Sequence, residues 1–563
     1  VWHDGRVNRP ASLTLFLGVV LVAVLVGGWL RTAYAPEWRP TATPLGLRPW
    51  AVEADCYSQL ARVQRILRGQ GLVQNHFTVE NWPEGLTPST TAPFDYVILA
   101  LWVPLALITP YPLDWAGALV SPVLALALAA FWTFFRSRCC QRTGRAALIV
   151  GLALIPGLVW ATAFGRPRHQ SLILALLAVA LTAEYERWEK DAPRAWNIAA
   201  GIAWGLACWT SLYEPLLLVL LLIVYNLAVR RRESPAFAIS FGAVLLLALA
   251  IEGIHVYVPP PEVRPVLSNW LQFIAEMRGM DFPQFADSIT FSSAFSSPTF
   301  SLAEVGSFLM LVALPAMAVW LWCARNTVDR LVTGLTVVLC CCALYQQRWL
   351  PYAMLGELFC VTRFFQLMPN RWVRGALAVL VLLNVAVANW AQVRGAASVP
   401  ANQPSPELAR LSRAIDAPGG IMAPWWLSPG LLYFSGQPIV SGSSHCGITG
   451  IAASAEFYTS TSWDDAMAIL QQRKVRWVVV WDEPTYVYPL LGSSQEILGL
   501  APSTDKEPGD ADATIAQRLV TDQHVPDDLL QLRAVTPHFK LYEVVGAGVT
   551  DASSSVSSPV AVR

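Results

Sequence analysis

The chain has 563 residues and no net formal charge, and only 14% of its residues are charged while 55% are hydrophobic. Its mean hydropathy is +0.45. So sparse and balanced a charge gives no electrostatic footprint for a nucleic acid, and so much apolar sequence points to a membrane protein.

A helix that crosses a bilayer needs about 20 apolar residues. Eleven runs answer to this, at 12–30, 114–135, 146–163, 171–186, 195–211, 213–229, 235–254, 303–323, 331–346, 350–368 and 373–391. The joints near 211–213 and 346–350 are short. The chain does not open on Met, so a few residues are expected before Val1. The first run is read as a retained span, being too long and too weakly bounded for a cleaved signal.

Orientation follows from the connections. With the N-terminus cytoplasmic, those after the even-numbered spans carry Arg136, Arg138, Arg142 and Arg145; Arg187, Lys190 and Arg194; Arg230, Arg231 and Arg232; Arg325 and Arg330; and Arg371 and Arg374. This is the positive-inside bias. It places the loop 31–113, the joint 164–170, the loop 255–302 and everything from 392 onward on the outer face. The apolar run 94–110 would break the pattern if it crossed, so it is read as a helix lying at the outer interface.

From about 405 the pattern changes to short alternating pieces. Gly420–Pro424, Pro438–Gly442, Arg476–Asp482 and Lys540–Val545 read as strands, with helices at Pro406–Ile415, Ser462–Arg473 and Ala513–Leu519. Ser462, followed by Asp464 and Asp465, has the make-up of a helix N-terminus. Residues 494–512 read as a loop. The domains expected are a transmembrane part, 1–391, with outer loops 31–113 and 255–302; an extracytoplasmic α/β domain, 392–548; and a disordered tail, 549–563. Of the ten cysteines, only Cys56 and Cys446 fall outside the membrane on the oxidising face, where a disulfide between them is left open.

The acidic residues of the outer face carry the chemistry. Asp55 opens a helical pattern about 25 residues after the first span, where a carboxylate can hold a metal or act as a base, or simply cap the helix. Asn81-Trp82-Pro83-Glu84-Gly85 follows, and the joint 164–170 reads Phe164-Gly165-Arg166-Pro167-Arg168-His169-Gln170. Glu214 stands at an outer joint, and Glu357 and Arg363 lie within an apolar run, where ionisable residues draw functional suspicion. Asp281 and Asp287 in the central loop read as solvated acids, and His445 as a structural histidine.

This order of parts resembles the catalytic subunit of the oligosaccharyltransferases, within the GT-C class of membrane glycosyltransferases, and is most similar to a bacterial branch of that family. The resemblance runs from about 12 to 545. It implies a polytopic α-helical GT-C-like fold of about 11 transmembrane helices with a C-terminal extracytoplasmic α/β domain. It implies a metal ligand and acceptor-engaging acid at Asp55, a further contact at Glu304 in Ser301-Leu302-Ala303-Glu304, and a diphosphate-binding arginine at Arg348 in Gln347-Arg348-Trp349. Trp425 and Trp426 of Pro424-Trp425-Trp426-Leu427 stand where the family reads its acceptor.

Two departures stand out. Arg166 to Gln170 occupies the place of the family's second acidic motif. Leu427 stands where an aspartate is expected and cannot accept a hydrogen bond, so the acceptor need not be an asparagine side chain; it can be another glycan, a lipid or a Ser/Thr. Two versions of the site follow. One binds a divalent cation, Mn²⁺ or Mg²⁺, through Asp55, Glu304 and His169. The other needs no metal, because Arg168 and Arg348 clamp the phosphate.

The function expected is transfer of a sugar or oligosaccharide from a polyprenyl-(di)phosphate donor to a protein or glycan acceptor at the outer face of a bacterial inner membrane. The alternatives are a catalytically silent relative serving as a structural subunit of a membrane assembly, and a transporter or flippase. A transporter would place its charges at mid-membrane and show repeated halves.

Overall fold

A computed structural model describes residues 10–88, 92–135, 142–189, 192–253, 258–274, 277–280, 315–323, 326–398, 404–481, 490–500 and 513–545. Arg136, Arg138, Lys190, Arg325, Asp281, Asp287, Glu304 and the tail 549–563 lie outside the described residues. The chain divides into two compact units. The first comprises Val1–Pro49, Tyr96–Gly253 and Glu276–Ala401, and the second Trp50–Asp95, Ile254–Ala275 and Asn402–Arg563.

The first unit is helical. Among the described residues five helices are long and apolar enough to cross a membrane: Leu13–Ala33, Pro112–Phe134, Pro235–Glu252, Thr327–Tyr345 and Arg371–Ala396. His169–Arg187, Arg194–Thr210, Tyr213–Ala228 and Leu350–Leu367 stand at four more of the apolar runs. At 303–323 only 315–323 is described, and it is helical. Proline at the first turn starts several helices, including Pro112–Phe134 and Pro235–Glu252, because its missing N–H is unneeded there. Asn326 caps Thr327–Tyr345, its side chain accepting from the Val328 N–H at 3.1 Å. Helix Pro93–Leu105 has 13 residues, which is about 20 Å of helix against an apolar core about 30 Å thick.

The run 146–163, expected as one span, is instead two helices, Arg142–Leu154 and Pro156–Ala161. Pro156 lacks an N–H and forces Ile155 into extended backbone (φ −64°, ψ 120°). The carbonyl of Leu152 thereby loses its helical donor. Arg31 replaces it: Nη2 donates to the Leu152 carbonyl at 2.9 Å, Nε to Thr162 Oγ1 at 2.9 Å, and Nη1 to the Gly27 carbonyl at 2.9 Å. Glycines let these helices approach closely. A Cβ at Gly151 would lie 2.2 Å from Leu358 Cδ1, and one at Gly157 2.1 Å from Met354 Sδ.

Several buried charges among the described residues of this unit are paired. Arg187 donates from Nε to Glu184 at 2.7 Å and from Nη1 to Glu233 at 2.6 Å, while Trp188 and Trp204 each donate to Glu184 at 3.0 Å. Arg231 stacks on Trp188 at 3.8 Å and donates to the Arg187 carbonyl. Two cations counted as part of a charged connection are thus tied into the protein. Arg363 pairs with Asp329 at 2.9 Å, and Glu357 accepts a weak bond from Cys340 at 3.5 Å.

The second unit carries a four-stranded sheet in the order Gly420–Met422, Val475–Trp481, Phe539–Val544, Leu530–Val535. The first pair is parallel and the other two are antiparallel. Val478, Val479 and Val480 are fully buried, and Tyr458 holds the Val479 carbonyl through its hydroxyl at 2.6 Å. The strand expected at Pro438–Gly442 reduces to bridges at Ile439, next to Pro438, which has no N–H to give a ladder. Leu530–Val535 joins the sheet instead. The loop expected at 494–512 is helical as far as Leu498, in the helix Leu490–Leu498. Helices Ser428–Ser435 and Ile448–Thr459 complete the surroundings of the sheet. Ser462 caps Trp463–Gln472.

Residues 77–86 of the first long loop fold onto this same unit. Glu80 and Ile421 both bridge Ile439 in parallel register. Trp82 donates its N–H to the Ile439 carbonyl at 3.0 Å, and Ile439 to the Val79 carbonyl at 2.8 Å. Asn81 adopts φ 59°, a conformation Asn tolerates, and its Nδ2 donates to the Gly85 carbonyl at 2.9 Å. Arg473 reaches Glu84 at 3.3 Å and the Thr449 carbonyl at 2.9 Å. The Asn81 to Gly85 motif is therefore a docking turn.

Candidate functional site

Asp55 stands, exposed, in the first turn of the helix Ala54–Leu67 of the second unit. It does not cap that helix: the capping position is Glu53, whose side chain makes no cap bond. Behind it the helix presents Ser58, Gln59 and Arg62. Ser58 Oγ lies 3.2 Å from Ser443 Oγ, and Arg62 pairs with Asp95 at 3.2 Å. Gln59 also donates to Asp95.

The structure adds Glu80, which no local pattern marks. Its carboxyl is 3% exposed, and its Oε1 has no hydrogen-bond partner. It fills the place a side chain at Gly442 would take, since a Cβ there would meet Oε1 at 1.8 Å. Burial pushes its pKa up to about 7; Arg62 and the Ser444 N–H oppose the rise, and the like charge of Asp55 adds to it.

In the first unit, Arg348 lies in the single turn Gln347–Trp349 that joins Thr327–Tyr345 to Leu350–Leu367. Its Nε and Nη2 both donate to one oxygen of Glu214, at 2.9 and 2.5 Å. Glu214 is fully buried at the start of Tyr213–Ala228, and Ser211 Oγ donates to its other oxygen at 2.8 Å. The Tyr213 ring covers the guanidinium, 4.9 Å from centroid to Cζ, and is held by Gln346 through its hydroxyl at 3.0 Å. Arg348 is therefore a cation with a built-in counter-ion 134 residues away in the chain.

Arg168 occupies the capping position of His169–Arg187, and His169 is the first residue of that helix. Ser171 returns its hydroxyl to the Arg168 carbonyl at 2.8 Å. Arg166 is buried, its guanidinium over Trp160 at 4.0 Å.

Trp425 and Trp426 belong to the second unit, their ring centroids 5.7 Å apart and nearly perpendicular. Trp425 also meets Trp270 edge-on at 5.7 Å and packs on Ile448, Ile451 and Ile497. Leu427 is buried at 2% exposure, just ahead of Ser428–Ser435. Trp425 thus serves an apolar cluster. Cys56 and Cys446 are both buried in this unit.

Among the described residues no three His, Cys, Asp or Glu side chains gather as a metal-ligand set. Glu304 lies outside those residues.

No family model matches the chain, and no curated protein matches it. Solved structures do. The oligosaccharyltransferase AglB from Archaeoglobus fulgidus, in complex with an inhibitory peptide and a dolichol-phosphate, matches with a TM-score of 0.54 and 13% identity, over 83% of this chain and 69% of that one. The Archaeoglobus fulgidus oligosaccharyltransferase in complex with Zn and sulfate matches with a TM-score of 0.55 and 12% identity, over 82% and 67%. ArnT from Cupriavidus metallidurans bound to undecaprenyl phosphate matches with a TM-score of 0.53 and 12% identity, over 96% of this chain and 100% of that one. At such identities the likeness speaks for the fold, and the fold of this chain is that of the GT-C membrane glycosyltransferases.

Proposed function

We propose that the protein transfers a sugar or oligosaccharide from a polyprenyl-(di)phosphate donor to an acceptor at the outer face of the membrane. The observation that carries this reading is the shared fold, over nearly the whole chain, with a protein solved with undecaprenyl phosphate. The eleven-span arrangement, with a cytoplasmic N-terminus and an extracytoplasmic second unit, is part of the proposal and is supported by the arginines of the connections.

In the reaction the acceptor nucleophile attacks the anomeric carbon. The bond from that carbon to the phosphate oxygen breaks, and its electron pair leaves with the phosphate. Asp55 orients the nucleophile and takes its proton; its exposure on the first turn of Ala54–Leu67 suits a base that must meet a macromolecular or lipid acceptor. Arg348 meets the charge that develops on the phosphate, and Arg168 is the second cation assigned to it. Glu304 is assigned to the acceptor, and Trp426 and Trp425 to sugar or acceptor contact. In the metal-dependent version of the site Asp55, Glu304 and His169 would hold a divalent cation, which would add positive charge against the leaving phosphate.

The test is transfer from a labelled polyprenyl-linked sugar in membranes containing the full chain. Asp55→Asn is expected to lower turnover by about 10²- to 10⁴-fold, the usual size of a lost general base. Arg348→Gln is expected to lower it by about 10²-fold or more. Activity equal to wild type in both variants overturns the proposal. A cellular phenotype that survives Asp55→Ala points to the silent structural subunit.

A further inference from the structure

We infer that a small hairpin, Thr41–Thr43 with Gly46–Arg48, and the end of helix Pro93–Leu105 together form an apolar wedge that dips into the adjacent lipid leaflet. The wedge is a membrane anchor separate from the spans, and its partner is the acyl layer of the bilayer.

The hairpin pairs Thr41 with Arg48, Ala42 with Leu47 and Thr43 with Gly46. Side chains alternate between the two faces of such a ribbon. One face is turned to the protein. Thr43 Oγ1 lies 2.8 Å from the Tyr111 hydroxyl. Arg48 donates to Asp114 at 3.0 and 3.2 Å and stacks on the Tyr111 ring. The ring N–H of Trp115 donates to the Leu47 carbonyl at 3.2 Å. The other face carries Ala42 and Leu47, both exposed, and the turn holds Leu45 at its tip. Leu45 is 71% exposed and Leu47 56%. Gly46 rests against Pro110, since a Cβ there would lie 3.4 Å from Pro110 Cγ. The hairpin therefore adjoins the turn that follows helix Pro93–Leu105. There Val103, Leu107 and Ile108 are 60, 86 and 78% exposed. All five apolar residues belong to the first unit.

Residues 40–47 and 96–113 contain no Asp, Glu, Lys, Arg or His. Large apolar side chains gathered on an uncharged surface mark a contact with protein or membrane. Continuity with a span selects the membrane. Tyr111 and Trp115, which clasp the hairpin, stand at the start of Pro112–Phe134, a helix long and apolar enough to cross a bilayer. Tyrosine and tryptophan collect at the membrane–water boundary. They hold the hairpin at that level, where an apolar face buries itself about 5–10 Å into the boundary of headgroups and acyl chains. The nearest cation, Arg48, is neutralised by Asp114 and does not oppose entry. The wedge is borne by the two segments that flank 50–95, the stretch carrying Asp55 and Glu80. It thus fixes to the lipid surface both points where that stretch leaves the first unit.

The experiment places a benzophenone amino acid at position 45 or 108 of the full chain, in vesicles of phosphatidylcholine and phosphatidylglycerol. After irradiation the cross-linked species are read by mass. Lipid adducts are expected at both positions, at a yield like that of position 126, an exposed leucine of Pro112–Phe134. None is expected at position 464, an exposed acid of Trp463–Gln472. The two probe positions lie on separate segments, so one decides the matter should the chain carrying the other not fold. Adducts between two copies of the chain, or no adduct at all, overturn the inference, as does an equal lipid yield at position 464. Leu45→Asp combined with Leu47→Asp is expected to lower the lipid yield at position 108. An unchanged yield there overturns the claim that the two segments act as one wedge.

Discussion

Glu80 should make the protein lose stability as pH rises through neutrality, and Glu80→Gln should remove that loss. In the unfolded chain this carboxyl has an ordinary value of 4.5, and in the fold burial raises it to about 7. The folded state therefore keeps a proton that the unfolded state releases. The associated stability is fully present below pH 4.5 and is lost as pH rises through about 7. At 1.36 kcal/mol per pH unit the loss is on the order of 3 kcal/mol. Solvent screens it little, because Glu80 is 3% exposed. For a unit of this size that corresponds to a fall in Tm of roughly 6–12 °C. Glutamine keeps an acceptor for the Ser444 N–H and carries no charge, so its variant should lack this component. The assay is thermal unfolding of the full chain in detergent, followed by tryptophan fluorescence between pH 4 and 8, with the variant's curve subtracted from wild type. Two curves that run parallel across that range would refute the reasoning.

Three further outcomes follow from the packing. Glu184→Ala should destabilise the first unit by about 3–5 kcal/mol, because it leaves Arg187 with less of its buried compensation; chemical unfolding in mixed micelles reads this out. Arg31→Leu should cost about 1–3 kcal/mol, because the Leu152 carbonyl loses its replacement donor beside Pro156, and the loss shows as a lower midpoint in the same assay. Gly450→Ala should destabilise the second unit by about 1–3 kcal/mol, since a Cβ there lies 1.9 Å from the Val440 carbonyl oxygen; faster cleavage in limited proteolysis is the expected sign.

The apolar runs could be read without a structure because bilayer thickness sets a length that a local window detects. So could the cap at Ser462, which needs only its own helix. The break at Pro156 was legible in principle, since proline forbids the bond to Leu152, yet continuous hydrophobicity hid it. Glu80, the docking of residues 77–86 on Ile439, and the pairing of Arg348 with Glu214 were not legible. Each joins residues far apart in the chain, and no local period or spacing encodes such a partner. Reading Arg348 as an available phosphate clamp accordingly missed the carboxylate that already holds it.

What the amino-acid order determined by itself was where most of the long apolar helices lie and which connections are rich in arginine, because both depend on neighbours close in the chain. Tertiary structure decided which charges are spoken for. A buried ionisable group needs an opposite charge, neutral hydrogen-bond partners or a change of protonation. For Arg348 and Glu80 the deciding neighbours arrive from other segments of the chain.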